Sequence, residues 1–519
     1  MRDELRRYRR VSMDKPVRGH SKARDERQSK TPFLDALKVY VDANPAPFDV
    51  PNHKMGGFDN EFLDYVGKQT YRVDVNAPLG MDSLLKPHGV IKEAEALCAE
   101  CFGADRCLFS VNGTTGGILA ELMGILRPKD KIILPRNVHR SIINGLILSG
   151  AVPIFVQPDI DPLTGIANGV PLSAFKEAVE KNPDAKAVFV INPTYFGISS
   201  DLKGIAELAH EHGMIAMADE AHGTHFYLDR HLPLGALQAG FDISACSMHK
   251  TAGSLTQSSI VISKGKRVDW ERVKNVFTML TSTSPSSLLI ASIDAARKRM
   301  YFEGEALLER SVQLATRARE ALVKIPGISV LDRTYLTRDG RCDLDPTRLV
   351  INVSGLGITG FDAYRELKIN SGVQLELGEI NCCLALVGIG STDEQVDRLI
   401  KAFADLSAAH YGKRQPLRFP RFSPEFPELV IRPRVAFNAP SKVVPLKEAA
   451  GEISAEAVMV YPPGIPFLIP GERVTEDCLK ELRFYVRHGG VVMSDTSPET
   501  IKIVDHSKWF AASDIDYDY

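Results

Sequence analysis

Lys250 stands in Ser247-Met-His-Lys250-Thr251, after the apolar run Ile243 to Ser247 and before a loop of small residues, TAGSLTQSS. An amine that leaves an apolar strand in such surroundings can lose its proton to desolvation and to nearby cations, and the free amine can then form a Schiff base. A lone lysine of this kind is more commonly a surface residue at a strand end, so the assignment needs company. Upstream, Ala218-Asp-Glu-Ala-His222 follows the run Met214 to Ala218. A carboxylate at Asp219, where the strand should end, could keep a heterocyclic nitrogen protonated and so make its ring an electron sink. The letters DEAH also suit a helicase, but that chemistry needs an upstream phosphate loop of the G-x-x-x-x-G-K-[ST] type, and the chain has none.

Two further pieces complete the set. Asn112-Gly-Thr-Thr-Gly-Gly117 follows a predicted strand and opens a predicted helix. Glycines let backbone N–H groups approach a phosphate, hydroxyls add donors, and a helix N-terminus favours an anion. Alone, such a turn is more often simple capping. His139, in Arg136-Asn-Val-His-Arg-Ser141, could stack on a planar ring, although a loop histidine with a local hydrogen bond is the ordinary alternative. Ser247 and His249 flank the lysine and could also donate to the phosphate. Each piece ends a predicted strand of one sheet, and their joint occurrence points to pyridoxal phosphate (PLP).

The elements that must position these residues alternate. Between about 90 and 265, β runs at Arg106 to Val111, Lys131 to Pro135, Val152 to Val156, Ala187 to Ile191, Met214 to Ala218, Ile243 to Ser247 and Ser258 to Ser263 are interleaved with helical stretches such as Gly116 to Leu126 and Gly204 to His212. That alternation predicts an α/β fold with a mostly parallel, seven-stranded, doubly wound sheet, whose ligands gather beyond the strand carboxyl ends. We divide the chain into a basic flexible arm (1–30, with eleven Lys or Arg against five Asp or Glu), a large domain with its linking helix (31–325), a small α/β domain (326–415) with strands near Arg348 to Val353 and Cys383 to Val387, and a C-terminal unit (416–519) entered through a Pro- and Arg-rich connector.

Bulk properties narrow the class. With 519 residues, 44% hydrophobic and 25% charged, the chain reads as a globular protein of two or three units. A net charge of −2 gives no global cue for nucleic acid or a membrane surface, and no apolar run is long enough to span a bilayer. Eight scattered cysteines suit reduced thiols, and cytoplasmic residence is the expectation. Cys98-x-x-Cys101 lies in a helical pattern with no second pair, so a packed helix face is preferred to a metal site.

TPFLDAL (31–37), PNHKMGG (51–57), FGADRCLFSVNGTTGG (102–117), RNVHRS (136–141), NPTYFGI (192–198), DEAHGTHF (219–226), SMHKT (247–251) and YPPGIPFLIPGE (461–472) resemble the Orn/Lys/Arg decarboxylases among the fold-type-I PLP enzymes. The resemblance implies an aspartate-aminotransferase-like fold, a homodimer or higher assembly of dimers with shared active sites, and α-decarboxylation of a basic amino acid. It implies Lys250 as the Schiff-base lysine, Asp219 as the ring-nitrogen partner and His139 as the stacking residue. Thr114, Thr115, Ser247 and His249 would hold the phosphate, His222 would lie against the cofactor, and Thr194 near its ring hydroxyl. The chain departs from the family pattern at Asn52, where glycine is usual, and in NAPLGMDSLLKPHG (76–89), which matches its counterpart only loosely. Only the basic arm precedes the core, as in the short biosynthetic members. That comparison ranks arginine first, ahead of lysine and ornithine.

A basic substrate side chain needs an acidic acceptor, and Glu376, Glu379 and Glu456 are the candidates. An aminotransferase uses the same Asp and Lys pair, with an arginine clamp that Arg348 could supply. A non-catalytic homologue is opposed by the intact set Thr115, His139, Asp219 and Lys250.

Overall fold

The structure, a computed structural model, describes residues 20–161, 164–336, 340–417, 426–461 and 465–509. Most of the basic arm, the centre of the YPPGIP element and part of the connector lie outside these residues. Successive elements are helix α1 (Val90–Phe102), strand β1 (Arg106–Ser110), helix α2 (Gly113–Ile125), β2 (Lys131–Pro135), α3 (Arg140–Ser149), β3 (Val152–Val156), β4 (Ala187–Ile191), β5 (Ile215–Glu220), β6 (Ile243–Cys246), β7 (Ser259–Ser263), α4 (Trp270–Leu280) and α5 (Ser287–Leu322). The strands form one seven-stranded sheet in the order β1-β7-β6-β5-β4-β2-β3. β2 runs parallel to β3 and β4, and β5 parallel to β6, whereas β7 is antiparallel to both β6 and β1. Apart from the edge strand β3, in which only Pro153 and Val156 are buried, these strands bury nearly every residue, which is why they read mostly as continuous apolar stretches and not as alternating ones.

The chain divides into two compact units, residues 1–125 with 215–309 and residues 126–214 with 310–519. In the first, α2 lies close against the strands because Gly117 has no side chain. A Cβ there would meet Val261 Cγ2 at 2.8 Å and Ala245 Cβ at 3.2 Å. Gly124 does the same for α4, where a Cβ would meet Val273 Cγ2 at 2.7 Å. The described end of the basic arm is helical over Lys22–Gln28, with Ser21 accepting from the Arg24 N–H as its cap. It is fastened by the fully buried Arg297, which donates to Gln28 O at 2.6 Å and to Asp294, while Asp294 accepts from the Phe33 N–H at 3.0 Å.

The second unit adds a four-stranded sheet made of Leu377–Gly378, Cys382–Leu386, Arg348–Asn352 and Ser329–Val330 in that order. Its core includes Leu349, Ile351, Leu399 and Phe403. Towards the C-terminus, Val458–Tyr461 pairs with Ile465–Leu468 and Val491–Met493, and Ser441–Pro445 pairs with Thr500–Val504. Helix Glu476–Arg487 packs into this region through Leu479 and Leu482. No described helix is long and apolar enough to cross a membrane, and Cys98 and Cys101 are buried on α1.

Candidate active site

In the first unit, the predicted residues converge on the ends of β5 and β6 and on the start of α2. The chain leaves β1 through Asn112 into Gly113, whose φ of +63° is left-handed and whose N–H donates to Gln257 O at 2.8 Å. One residue on, the Thr114 hydroxyl bonds the hydroxyls of Ser247 and, at 3.0 Å, Ser259. Ser259 in turn donates to Cys246 O at 2.6 Å, and Thr224 donates to Ser247 O at 2.9 Å. Ser247 is thus drawn to Thr114, which lies in the first turn of a helix of 13 residues, where N–H groups and the helix dipole favour an anion. Thr115 lies in the same turn and is exposed.

Asp219 lies within β5, in register with Ala245 of β6, and its carboxylate accepts from the Ala221 N–H at 2.9 Å. The strand ends at Glu220, two residues beyond the expected Ala218. Glu220 is fully buried and accepts from Tyr227 (2.5 Å), Ser244 (2.8 Å) and the Ala236 N–H (2.8 Å). Lys250 belongs to a helical turn, Met248–Thr251, that begins two residues after β6. Its side chain is exposed, and its Nζ lies 3.1 Å from Nε2 of the buried His222. His249 Nδ1 lies 2.8 Å from Ser258 O. A carbonyl only accepts, so Nδ1 carries the proton. Burial, reinforced by the Lys250 charge, lowers the His249 pKa against the opposing pull of that carbonyl.

Sequence reasoning missed one acid here. Glu121 is the sole charged residue in GTTGGILAELMGIL, is fully buried on α2, and has no hydrogen-bond partner for either oxygen among the described residues. It follows Gly117 by four residues and so shares the helix face that meets β6. Burial, together with the charges of Asp219 and Glu220, raises its pKa well above the ordinary range.

The other predicted residues belong to the second unit. His139 is exposed and caps α3, its Nδ1 accepting from the Ser141 N–H at 3.2 Å. Thr194 is buried in the turn after β4, where its N–H donates to Ile198 O and its hydroxyl accepts from the Ile198 N–H. Exposed Glu376 accepts from the Tyr195 hydroxyl. Removal from water lifts the Glu379 carboxyl to about 8. Glu456 is fully buried and accepts from the Asp495 N–H (2.5 Å), the Lys502 N–H (2.6 Å) and the Thr496 hydroxyl (3.0 Å).

Taken together, the first unit offers an anion seat, an amine beside an imidazole, and a carboxylate on the neighbouring strand. Comparison with known proteins puts this arrangement in context. Residues 31–362 match the Orn/Lys/Arg decarboxylase major domain and residues 419–488 the Orn/Lys/Arg decarboxylase C-terminal domain. The chain is 42% identical to an arginine decarboxylase of Halalkalibacterium halodurans over 484 residues, covering 92% of this chain and 98% of that protein. It is 44% identical to an arginine decarboxylase of Bacillus subtilis over 454 residues, 87% of this chain and 92% of that one. Among solved structures, the Francisella novicida lysine decarboxylase LdcF shares the fold with a TM-score of 0.78 at 21% identity, covering 92% of this chain and 81% of that one.

Proposed function

The chain belongs to the Orn/Lys/Arg decarboxylase family, and from that premise we propose that it converts L-arginine to agmatine and carbon dioxide by PLP-dependent α-decarboxylation. The observation that carries the choice of arginine is the 41–44% identity to four arginine decarboxylases over most of the chain, against 23–25% for relatives described as lysine decarboxylases.

The donor set of the first unit fits the cofactor. The Thr114 and Ser247 hydroxyls, with the first N–H groups of α2, suit its phosphate. The Lys250 amine suits its aldehyde, and Asp219 suits its ring nitrogen. When bound, PLP supplies an electron sink for the pair left behind as a substrate bond breaks. Asp219 would hold a proton on the ring nitrogen, and its burial strengthens that interaction. His222 stands beside Lys250 and can exchange a proton with the amine whenever the lysine is released. Of the two groups able to return a proton to the substrate Cα, burial disfavours the charged form of His249, which supports Lys250 as the donor. The family resemblance further assigns His139 to the ring face and Thr194 to the ring hydroxyl.

For the substrate guanidinium, Glu376 and Glu379 are the acceptors we favour. A desolvated carboxyl such as Glu379 would give up its proton to an arriving cation. Glu456 already directs its oxygens to three internal donors. A homodimer in the cytoplasm belongs to the same reading. It is supported by large apolar side chains left in water in the first unit, among them Phe48 (96% exposed), Tyr65 (89%) and Leu79 (100%).

The test is to incubate purified protein and PLP with arginine, lysine or ornithine and no keto acid. Release of carbon dioxide and agmatine from arginine, in preference to the products of the other two, is expected. A requirement for a keto acid would instead mark an aminotransferase.

A further inference from the structure

The motifs RNVHRS and YPPGIPFLIPGE lie far apart in sequence, yet their charged residues meet. Arg136 directly follows β2, and its N–H donates to Val156 O at 3.1 Å. Its guanidinium forks onto Glu472, Nη1 to Oε1 at 2.6 Å and Nη2 to Oε2 at 2.9 Å, and also donates to Phe467 O at 3.0 Å. Both partners are nearly inaccessible, with side chains 7% and 1% exposed. Phe155 and Phe426 lie 4.8 and 5.6 Å from the guanidinium carbon, and Glu472 also accepts from the Ile469 N–H at 2.9 Å. Four residues on, Arg140 lies 4.0 Å from Asp495, whose own N–H is held by Glu456. At the far end of α3, Arg434 donates to Ile147 O at 2.8 Å and to Leu148 O. His139, the cap of α3, therefore sits between two arginines that the C-terminal region engages.

A buried ion pair adds little net stability, because desolvation of both charges offsets their attraction. A bidentate fork, however, fixes the plane and position of the guanidinium, which a lysine could not do. The exposed Arg140–Asp495 pair contributes still less energy, so what these contacts supply is a fixed geometry for the turn.

We propose that the C-terminal region positions His139 for the reaction, with Glu472 fixing Arg136 before it, Asp495 reaching Arg140 after it, and Arg434 holding the end of the helix that it caps. Arg136 and Glu472 are positioning residues. The proposal rests on the assignment of His139 to the cofactor ring.

Full-length Arg136→Lys keeps the charge and loses the fork. Arg136→Met/Glu472→Leu replaces the pair with apolar bulk and is expected to fold with little change in melting temperature. Three measurements are made: amide exchange of the peptide spanning 136–149 in cofactor-free protein, PLP affinity by titration, and the visible absorption of the bound cofactor. Both variants should exchange that peptide faster, bind PLP roughly tenfold to a hundredfold more weakly, and shift the absorption. Unchanged exchange and unchanged affinity in a folded variant overturn the proposal. Faster exchange with normal affinity also overturns it, and His139→Ala then locates the fault. If that variant binds PLP normally, the assignment of His139 has failed; if it binds weakly, the brace has.

Discussion

The Lys250 Nζ and the His222 Nε2 stand 3.1 Å apart, although 28 residues separate them in the chain. Because Lys250 is exposed, its removal should cost the fold no more than about 0.5 kcal/mol. Lys250→Ala should therefore melt like the parent yet lose both covalent cofactor attachment and turnover. Reductive trapping followed by peptide mass analysis checks this, with the cofactor mass expected on the Lys250 peptide of the parent only. His222→Ala should keep the attachment and lower kcat by about two orders of magnitude.

Asp82 gathers the backbone donors that open α1. It accepts from the N–H groups of Ser83 (2.9 Å), His88 (3.1 Å), Gly89 (2.7 Å) and Ile91 (3.1 Å). Burial works against its charge, but these donors prevail and hold its pKa below the ordinary carboxylate value. The stabilisation is therefore present above the unfolded-state pKa and lost as pH falls through the lowered folded-state pKa. Asp82→Ala should cost about 1–2 kcal/mol in neutral buffer and progressively less in acid, as read from urea midpoints across pH.

How much of this was legible in the sequence depended on where each residue's partners lie. β2, β3 and β4 match the expected runs to the residue; β2 and β4 are buried almost throughout and so form uninterrupted apolar words, while the edge strand β3, with only Pro153 and Val156 buried, is legible from the apolar run VPIFV alone. β5 runs past its expected end at Ala218, since Asp219 and Glu220 look like loop residues until their neighbours are known. Tyr227, Ser244 and the Ala236 N–H, which keep Glu220 in the sheet, come from later elements. The lysine motif and the Gly-Thr turn could be read locally. The contacts Lys250–His222 and Arg136–Glu472 needed the fold, because spacing along the chain carries no information about which distant side chains will face each other.

Glu121 should make the protein less stable as pH rises. Its folded-state pKa is raised, by burial first and by Asp219 and Glu220 next. Such a group costs nothing below its unfolded-state pKa. Its penalty grows as pH climbs above that value and levels off only beyond the raised folded-state pKa. Within this window the parent should lose about 1.4 kcal/mol per pH unit relative to Glu121→Gln, which cannot ionise. Urea unfolding of the two proteins in acid, neutral and alkaline buffer is the measurement. Parallel curves at every pH would show that Glu121 ionises as freely in the folded protein as in the unfolded chain.

Gly117 links the packing of α2 to the anion seat at its N-terminus. An alanine there would set its Cβ 2.8 Å from Val261 Cγ2 and 3.2 Å from Ala245 Cβ, and both neighbours belong to fully buried strand positions that cannot readily retreat. The helix must shift outward, at a cost of about 1–3 kcal/mol. That shift should also pull Thr114, one turn earlier, away from Ser247 and Ser259, so PLP affinity should fall together with the melting temperature. Gly388→Ala is the control, since nothing lies within 4 Å of a Cβ built there. It should leave both quantities unchanged. If Gly117→Ala loses stability but binds PLP like the parent, the start of α2 does not hold the phosphate.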